Sequence, residues 1–179
     1  MSFKKNYKEK ILPSLIKELG IKNKMEVPRI EKIVLNMGIG TFIKSGGKDY
    51  SVLKNDLALI AGQFPVVKNA KKAISNFKLR EGMPVGLMVT LRGDKMFYFL
   101  EKLIQVTSPR IRDFRGFSTR SFDKEGNYNF GIKEHVIFSE VPQQDIVKPH
   151  GLQITIKIKG NNKDHNKALL QALEFPFTK

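Results

Sequence analysis

Apolar positions along the chain recur at two periods. At steps of mostly three to four residues, Phe3, Tyr7, Leu12, Leu15, Ile16 and Leu19 predict an amphipathic helix over 3–19. Pro13 bends or restarts it and Gly20 ends it. Residues 29–37 alternate in part and are rich in β-branched side chains, which predicts a strand closed by Gly38-Ile39-Gly40. Tyr50, Leu53, Leu57 and Ile60 predict a helix over 48–62, and a short strand begins at Pro65-Val66-Val67. A longer strand over 84–92 sets Val85, Leu87, Val89 and Leu91 on one face and Met88, Thr90 and Arg92 on the other. Gly93-Asp94 then caps a helix over 95–107, whose core stripe is Met96, Phe99, Leu100, Leu103 and Ile104. Strands are predicted over 132–138 and 152–159, the second alternating cleanly as Leu152, Ile154, Ile156 and Ile158. Asn161 or Asn162 caps a final helix through Leu173, and Pro176 prevents its continuation.

Two stretches lack either period. Residues 70–83 and 108–131 read as long irregular loops, and loops of that length in a compact domain usually carry function or are disordered. Two-residue-period strands with segregated helices argue an α+β fold in one domain over 1–179. Its antiparallel sheet has helices packed on one face and the other face open for a ligand.

Composition sharpens the ligand class. The 179 residues carry 32 basic and 17 acidic groups, a formal charge of +15. Residues 1–60 contribute +6, 61–120 contribute +8 and 121–179 only +1, and all seven arginines fall before residue 121. Arginine's planar fork suits bidentate phosphate recognition, so the first two thirds read as a polyanion face, with nucleic acid as the expected partner. No segment approaches the roughly 20 apolar residues needed to span a bilayer, and no signal-peptide core precedes Lys17-Glu18. A membrane partner is therefore not expected and a cytoplasmic location is. The absence of cysteine removes disulfides, thiol nucleophiles and cysteine-held metals.

Catalytic and cofactor motifs fail on inspection. Gly38-Ile39-Gly40 lacks the third glycine of a dinucleotide loop, since position 43 is Ile43. Gly46-Gly47-Lys48 lacks both the leading glycine and the following hydroxyl of a phosphate loop, with Phe42 and Asp49 at those places. Gly116-Phe117-Ser118 meets Arg120 where a nucleophile elbow needs glycine. His135, His150 and His165 have no metal-binding spacing and read as surface or strand histidines. The sequence therefore argues against an enzyme, a cofactor and a small-molecule substrate.

What remains is chemistry suited to RNA. The loop from Lys68 to Gly86 interleaves Lys68, Lys71, Lys72, Lys78 and Arg80 with Phe77, so bases can stack on the ring while cations neutralise phosphates. The bland alternative is a plain loop whose Phe77 tucks into the core. Asn36, Gln63, Thr90 and Arg92 stand near element ends, where amide and hydroxyl groups can read sugars and base edges. The segment from Pro109 to Ser118 concentrates Arg110, Arg112 and Arg115 among aromatics. It could touch RNA or an acidic partner, or form a turn in which Asp113 pairs an arginine.

Six segments taken together resemble one family. They are Val27-Pro-Arg-Ile-Glu-Lys-Ile-Val-Leu-Asn-Met-Gly-Ile-Gly40, Gly62-Gln-Phe-Pro-Val-Val67, Lys78-Leu-Arg-Glu-Gly-Met-Pro-Val-Gly86 with Val89-Thr-Leu-Arg-Gly93, Pro109-Arg-Ile-Arg-Asp-Phe-Arg-Gly116, Asn127-Tyr-Asn-Phe-Gly-Ile-Lys-Glu134 and Phe175-Pro-Phe177. In this order they resemble the bacterial large-subunit ribosomal protein five, the 5S rRNA-binding family. The resemblance implies a structural constituent of the large subunit, without cofactor, that binds 5S rRNA and 23S rRNA in the central protuberance. It implies that Asn36, Gln63, Thr90 and Arg92 face rRNA. It also implies that the 73–82 loop with Phe77, Lys78 and Arg80 reaches P-site tRNA. It implies further that Arg110, Arg112 and Arg115 lie in the part that bridges to small-subunit ribosomal protein thirteen or contacts rRNA. The alternative reading of the charge alone is a non-specific basic RNA chaperone. The chain departs from the family pattern at Ser139, Gln143-Gln144 and Asn161-Asn162-Lys163.

Overall fold

The computed structural model describes residues 3–21, 23, 25–44, 47, 49–142, 149–160 and 162–178. Gly46, Lys48, Gln143, Gln144 and Asn161, singled out above, lie outside the described residues. The chain opens on α1 (Phe3–Asn6), a π-helical turn (Tyr7–Ile11) and α2 (Leu12–Glu18). There follow β1 (Arg29–Gly38), α3 (Gly40–Lys44), α4 (Ser51–Ala61), β2 (Val66–Asn69), β3 (Pro84–Leu91) and α5 (Gly93–Lys102). After α5 a π-helical turn (Leu103–Thr107) and a 3-10 turn (Ser108–Arg110) lead to β4 (Tyr128–Ile132), β5 (Leu152–Lys159) and α6 (Lys163–Ala172). The five strands form one antiparallel sheet in the order β2-β3-β1-β5-β4. The α+β expectation holds.

The long strands bury alternate side chains: Leu87, Val89 and Leu91 on β3, and Leu152, Ile154, Ile156 and Ile158 on β5. Positions between them, Met88, Thr90, Gln153, Thr155 and Lys157, are half-buried or exposed. That is the signature of a sheet covered on one face. β5 coincides with its predicted bounds because its two-residue period is unbroken. Asn162 caps α6, its side-chain oxygen accepting the Asp164 N–H at 3.0 Å. Gly62 closes α4 at φ +62°, a left-handed conformation that glycine adopts without strain.

Two expectations need correction. The strand predicted over 132–138 lies earlier, at Tyr128–Ile132, and His135–Ile137 is a 3-10 turn. The turn wins because His135 is tied by backbone and ring to His150, which removes that segment from the ladder. In the α5 stripe, Phe97 is buried and Ile104 only half-buried.

The chain divides into two compact units, one of Met1–Ile33, Leu91–Phe130 and Thr155–Lys179, the other of Val34–Thr90 and Gly131–Ile154. In the first, Tyr7 packs on Phe97 with ring centroids 5.1 Å apart. An aromatic cluster joins Phe117, Tyr128, Phe130, Phe175 and Phe177, with centroids between 4.4 and 5.6 Å. Such tilted and edge-on pairs add to the area they bury. The Tyr128 hydroxyl donates to the Ser118 carbonyl at 2.8 Å, and burial pushes its pKa up to about 12. The unfolded tyrosine ionises near pH 10, so stability present below pH 10 is lost as pH climbs to 12. The expected loss is roughly 2 kcal/mol. Urea unfolding at pH 9 and pH 11.5 checks this: Tyr128→Phe should lose less stability between the two than the parent chain.

Candidate nucleic-acid interface

In the second unit, the exposed positions of the strands carry uncharged polar groups already held in place. Asn36, at an exposed position of β1, donates from Nδ2 to Gln153 Oε1 on β5 at 3.2 Å. Gln63 follows the left-handed Gly62 and points Nε2 at the Thr90 carbonyl, 3.5 Å away. The Thr90 hydroxyl makes no hydrogen bond among the described residues, which leaves it to read a ligand. Groups held in this way have little rotamer freedom left to lose on binding.

Three of the four predicted rRNA-facing residues, Asn36, Gln63 and Thr90, thus sit in one unit. Arg92 stands just before α5 in the other, makes no capping hydrogen bond from its side chain and is exposed. Gln153 escaped the sequence reading, although its place between Leu152 and Ile154 marks it as an outward strand position. The first unit holds a comparable pair, Thr155 donating to Asn129 Oδ1 at 2.7 Å. It also holds an open groove lined by Arg29, Lys157 and Lys159 with Glu31. The small net charge of the last third hid these two lysines.

The 70–83 stretch is more ordered than its weak periodicity implies. β2 and β3 pair antiparallel from Val66↔Met88 to Asn69↔Pro84. The Ala70 N–H donates to the Met83 carbonyl, the Ala70 carbonyl accepts from the Gly82 N–H, and Ile74 and Leu79 exchange a mutual pair of backbone hydrogen bonds, which extends the hairpin outward. A 3-10 turn (Ser75–Phe77) and Lys78 at φ +50° form its tip. Phe77 is 60% exposed, so it does not tuck into the core. Lys71, Lys72, Lys78 and Arg80 are exposed or half-buried around it. The ring and the cations are held out together by backbone pairing, which suits stacking beside phosphate neutralisation.

Arg110, Arg112 and Arg115 are all exposed in the first unit, around a turn in which Asp113 adopts φ +52°. Among the described residues Asp113 makes no ion pair with an arginine, so these guanidiniums stay available.

His135 is a further correction, since it is neither a surface nor a strand histidine. It is 1% exposed, and its Nε2 lies 3.4 Å from the buried Asp56 Oδ2. The His150 backbone N–H donates to His135 Nδ1 at 3.1 Å. The same Nδ1 lies 3.3 Å from the His150 carbonyl, so the ring is held against the His150 backbone on one side and the Asp56 carboxylate on the other. The pair satisfies two buried polar groups and ties α4 to the 135–150 segment. Among the described residues no group of side chains could hold a metal ion, and no helix is long and apolar enough to cross a membrane.

The family described as "Ribosomal protein L5" matches residues 23–80, and the model of the same ribosomal family's C-terminus matches residues 84–177. Large ribosomal subunit protein uL5 of Thermus aquaticus is 49% identical over 179 residues, covering 100% of this chain and 98% of its own. Its counterpart in Cupriavidus taiwanensis is 52% identical over 174 residues, covering 96% and 94%. That of Halothermothrix orenii is 49% identical over 171 residues, covering 96% and 95%. With both family segments present in order and half of all positions identical to such relatives over nearly full length, the chain belongs to the ribosomal protein L5 family.

Proposed function

We propose that this structural, non-enzymatic protein of the large ribosomal subunit binds 5S rRNA through Asn36, Gln63, Thr90 and Arg92 and helps attach it in the central protuberance. As a ribosomal protein it works in the cytoplasm, within the ribosome. The observation that carries the reading is the set of uncharged polar groups that Gln153 and the Thr90 backbone hold in place on the second unit. Lysines alone would bind any RNA, whereas fixed amides and hydroxyls discriminate among folded RNAs. The surrounding positive charge supplies affinity.

The same reading assigns the 73–82 tip, with Phe77, Lys78 and Arg80, to P-site tRNA. It assigns Arg110, Arg112 and Arg115 to a bridge with small-subunit ribosomal protein thirteen or to 23S rRNA. These assignments follow from exposure, charge and family resemblance.

Competition binding tests the proposal. Replacing Asn36, Gln63 or Thr90 with alanine should cut the preference for 5S rRNA over bulk tRNA, each lost contact costing about 1–3 kcal/mol. Arg80→Ala should leave 5S binding nearly intact and weaken tRNA accommodation in reconstituted subunits. If bulk tRNA competes equally against the parent chain and the variants, the protein is a non-specific basic RNA chaperone instead.

A further inference from the structure

Next to Gln63 the second unit carries an apolar feature that the polar readout does not use. Phe64 is 69% exposed and Leu59 51% exposed, although both are large and apolar. They line an open hollow of ≈ 400 Å³ with Asn55, Ala58, Gly62 and Gln63. The Lys54 ammonium lies 5.8 Å from the centroid of the Phe64 ring. An exposed apolar patch that the fold keeps next to a polar site marks an interaction surface.

We propose that Phe64 is a stacking platform for one unpaired RNA base, with Lys54 holding an adjoining phosphate and the Gln63 amide beside the base edge. The proposal rests on the RNA-binding reading above and adds a ligand subsite to it. Charge selects the occupant. Residues 34–90 hold eight basic and three acidic groups. The one acid of α4, Asp56, is buried against His135, so among the described residues no carboxylate lines the hollow. A cation without a facing acid, two amide side chains and one exposed ring are complementary to a nucleotide. The apolar area is one ring and one leucine, which suits a single flat heterocycle and is too small for a protein helix. Only an unstacked base presents its face, so the site selects loops and bulges over duplex.

The chain contains no tryptophan, so Phe64→Trp creates a single reporter at the site. Titration with 5S rRNA at fixed salt compares the parent chain with Phe64→Ala, Phe64→Leu and Phe64→Trp. Phe64→Ala should bind roughly 5- to 150-fold more weakly, the loss expected for one stacked base. Phe64→Leu should bind nearly as weakly, because it keeps the apolar bulk and lacks the π-face. Phe64→Trp should bind within about threefold of the parent chain, and its emission should be quenched as the base stacks. Lys54→Gln should lower the log–log salt slope by about 0.7–0.9, one phosphate contact. Equal binding by all variants, full affinity in Phe64→Leu, or unquenched Phe64→Trp emission in the complex overturns the subsite while leaving 5S recognition standing. A dimer of the parent chain that Phe64→Ala abolishes in sedimentation makes the hollow a self-interface and also overturns it. If 5S rRNA shows no advantage over bulk tRNA, the functional reading falls, and quenching of Phe64→Trp by the competing RNA still decides the stacking.

Discussion

Gly116→Ala is expected to destabilise the fold by about 2–6 kcal/mol. Gly116 stands at φ +102°, where an L side chain is strained by about 1–3 kcal/mol. A Cβ there would overlap the Thr178 nitrogen and lie 2.5 Å from the Phe177 carbonyl carbon. Both are backbone atoms and cannot swing aside, so overpacking costs a further roughly 1–3 kcal/mol. The approach is close because the two segments are laced together. Phe117 N–H donates to the Pro176 carbonyl at 2.8 Å, and Thr178 N–H donates to the Phe117 carbonyl at 2.9 Å. Forcing them apart also opens the aromatic cluster, in which Phe117 lies 4.4 Å from Phe130 and 5.3 Å from Phe175. Urea denaturation checks the expectation, with Gly38→Ala as control. At Gly38 a Cβ meets nothing within 4 Å, so the control should stay within about 0.5 kcal/mol of the parent. Equal midpoints for the two variants would show that the C-terminal clasp does not hold the unit together.

RNA affinity is expected to fall about 10³-fold between 50 and 200 mM salt if six phosphates are engaged, and further for a larger footprint. The solvent-accessible cations outside the 73–82 tip allow this: Lys68, Lys71 and Lys72 after β2 begins, Arg92 before α5, and Lys157 and Lys159 on β5. Anisotropy titrations of 5S rRNA across a salt series give the slope. Arg92→Gln should reduce its magnitude by about one contact. Gln63→Ala should lower affinity and selectivity without changing it, since an uncharged group releases no counterions. A shallow slope, equivalent to one or two phosphates, would contradict the electrostatic reading. A Gln63→Ala variant that flattens the slope would contradict the division of labour between charged and uncharged groups.

The outline of the fold was legible where the chemistry is local. β5 buries Leu152, Ile154, Ile156 and Ile158 as its alternation requires, and α6 begins at the cap that Asn162 provides. The predicted RNA-facing side chains are exposed or half-buried, and Arg80 and Arg92 reach solvent. The hairpin tip was less legible. Its order comes from backbone pairing of Ile74 with Leu79 and from Lys78 in a left-handed conformation, neither of which leaves a hydrophobic period.

Sequence alone determined the alternation that makes strands, the caps that end helices, the absence of cysteine chemistry and the concentration of arginine ahead of residue 121. These depend on neighbours within a few positions, or on counting. Tertiary structure decided which distant groups meet. Asn36 finds Gln153 across 117 residues, Asp56 is buried against His135, and Gly116 admits the C-terminal segment. The physical reason is that a buried polar group or a close backbone approach is satisfied by whatever the folded chain brings within 3 or 4 Å, and neither partner's local sequence encodes that distance.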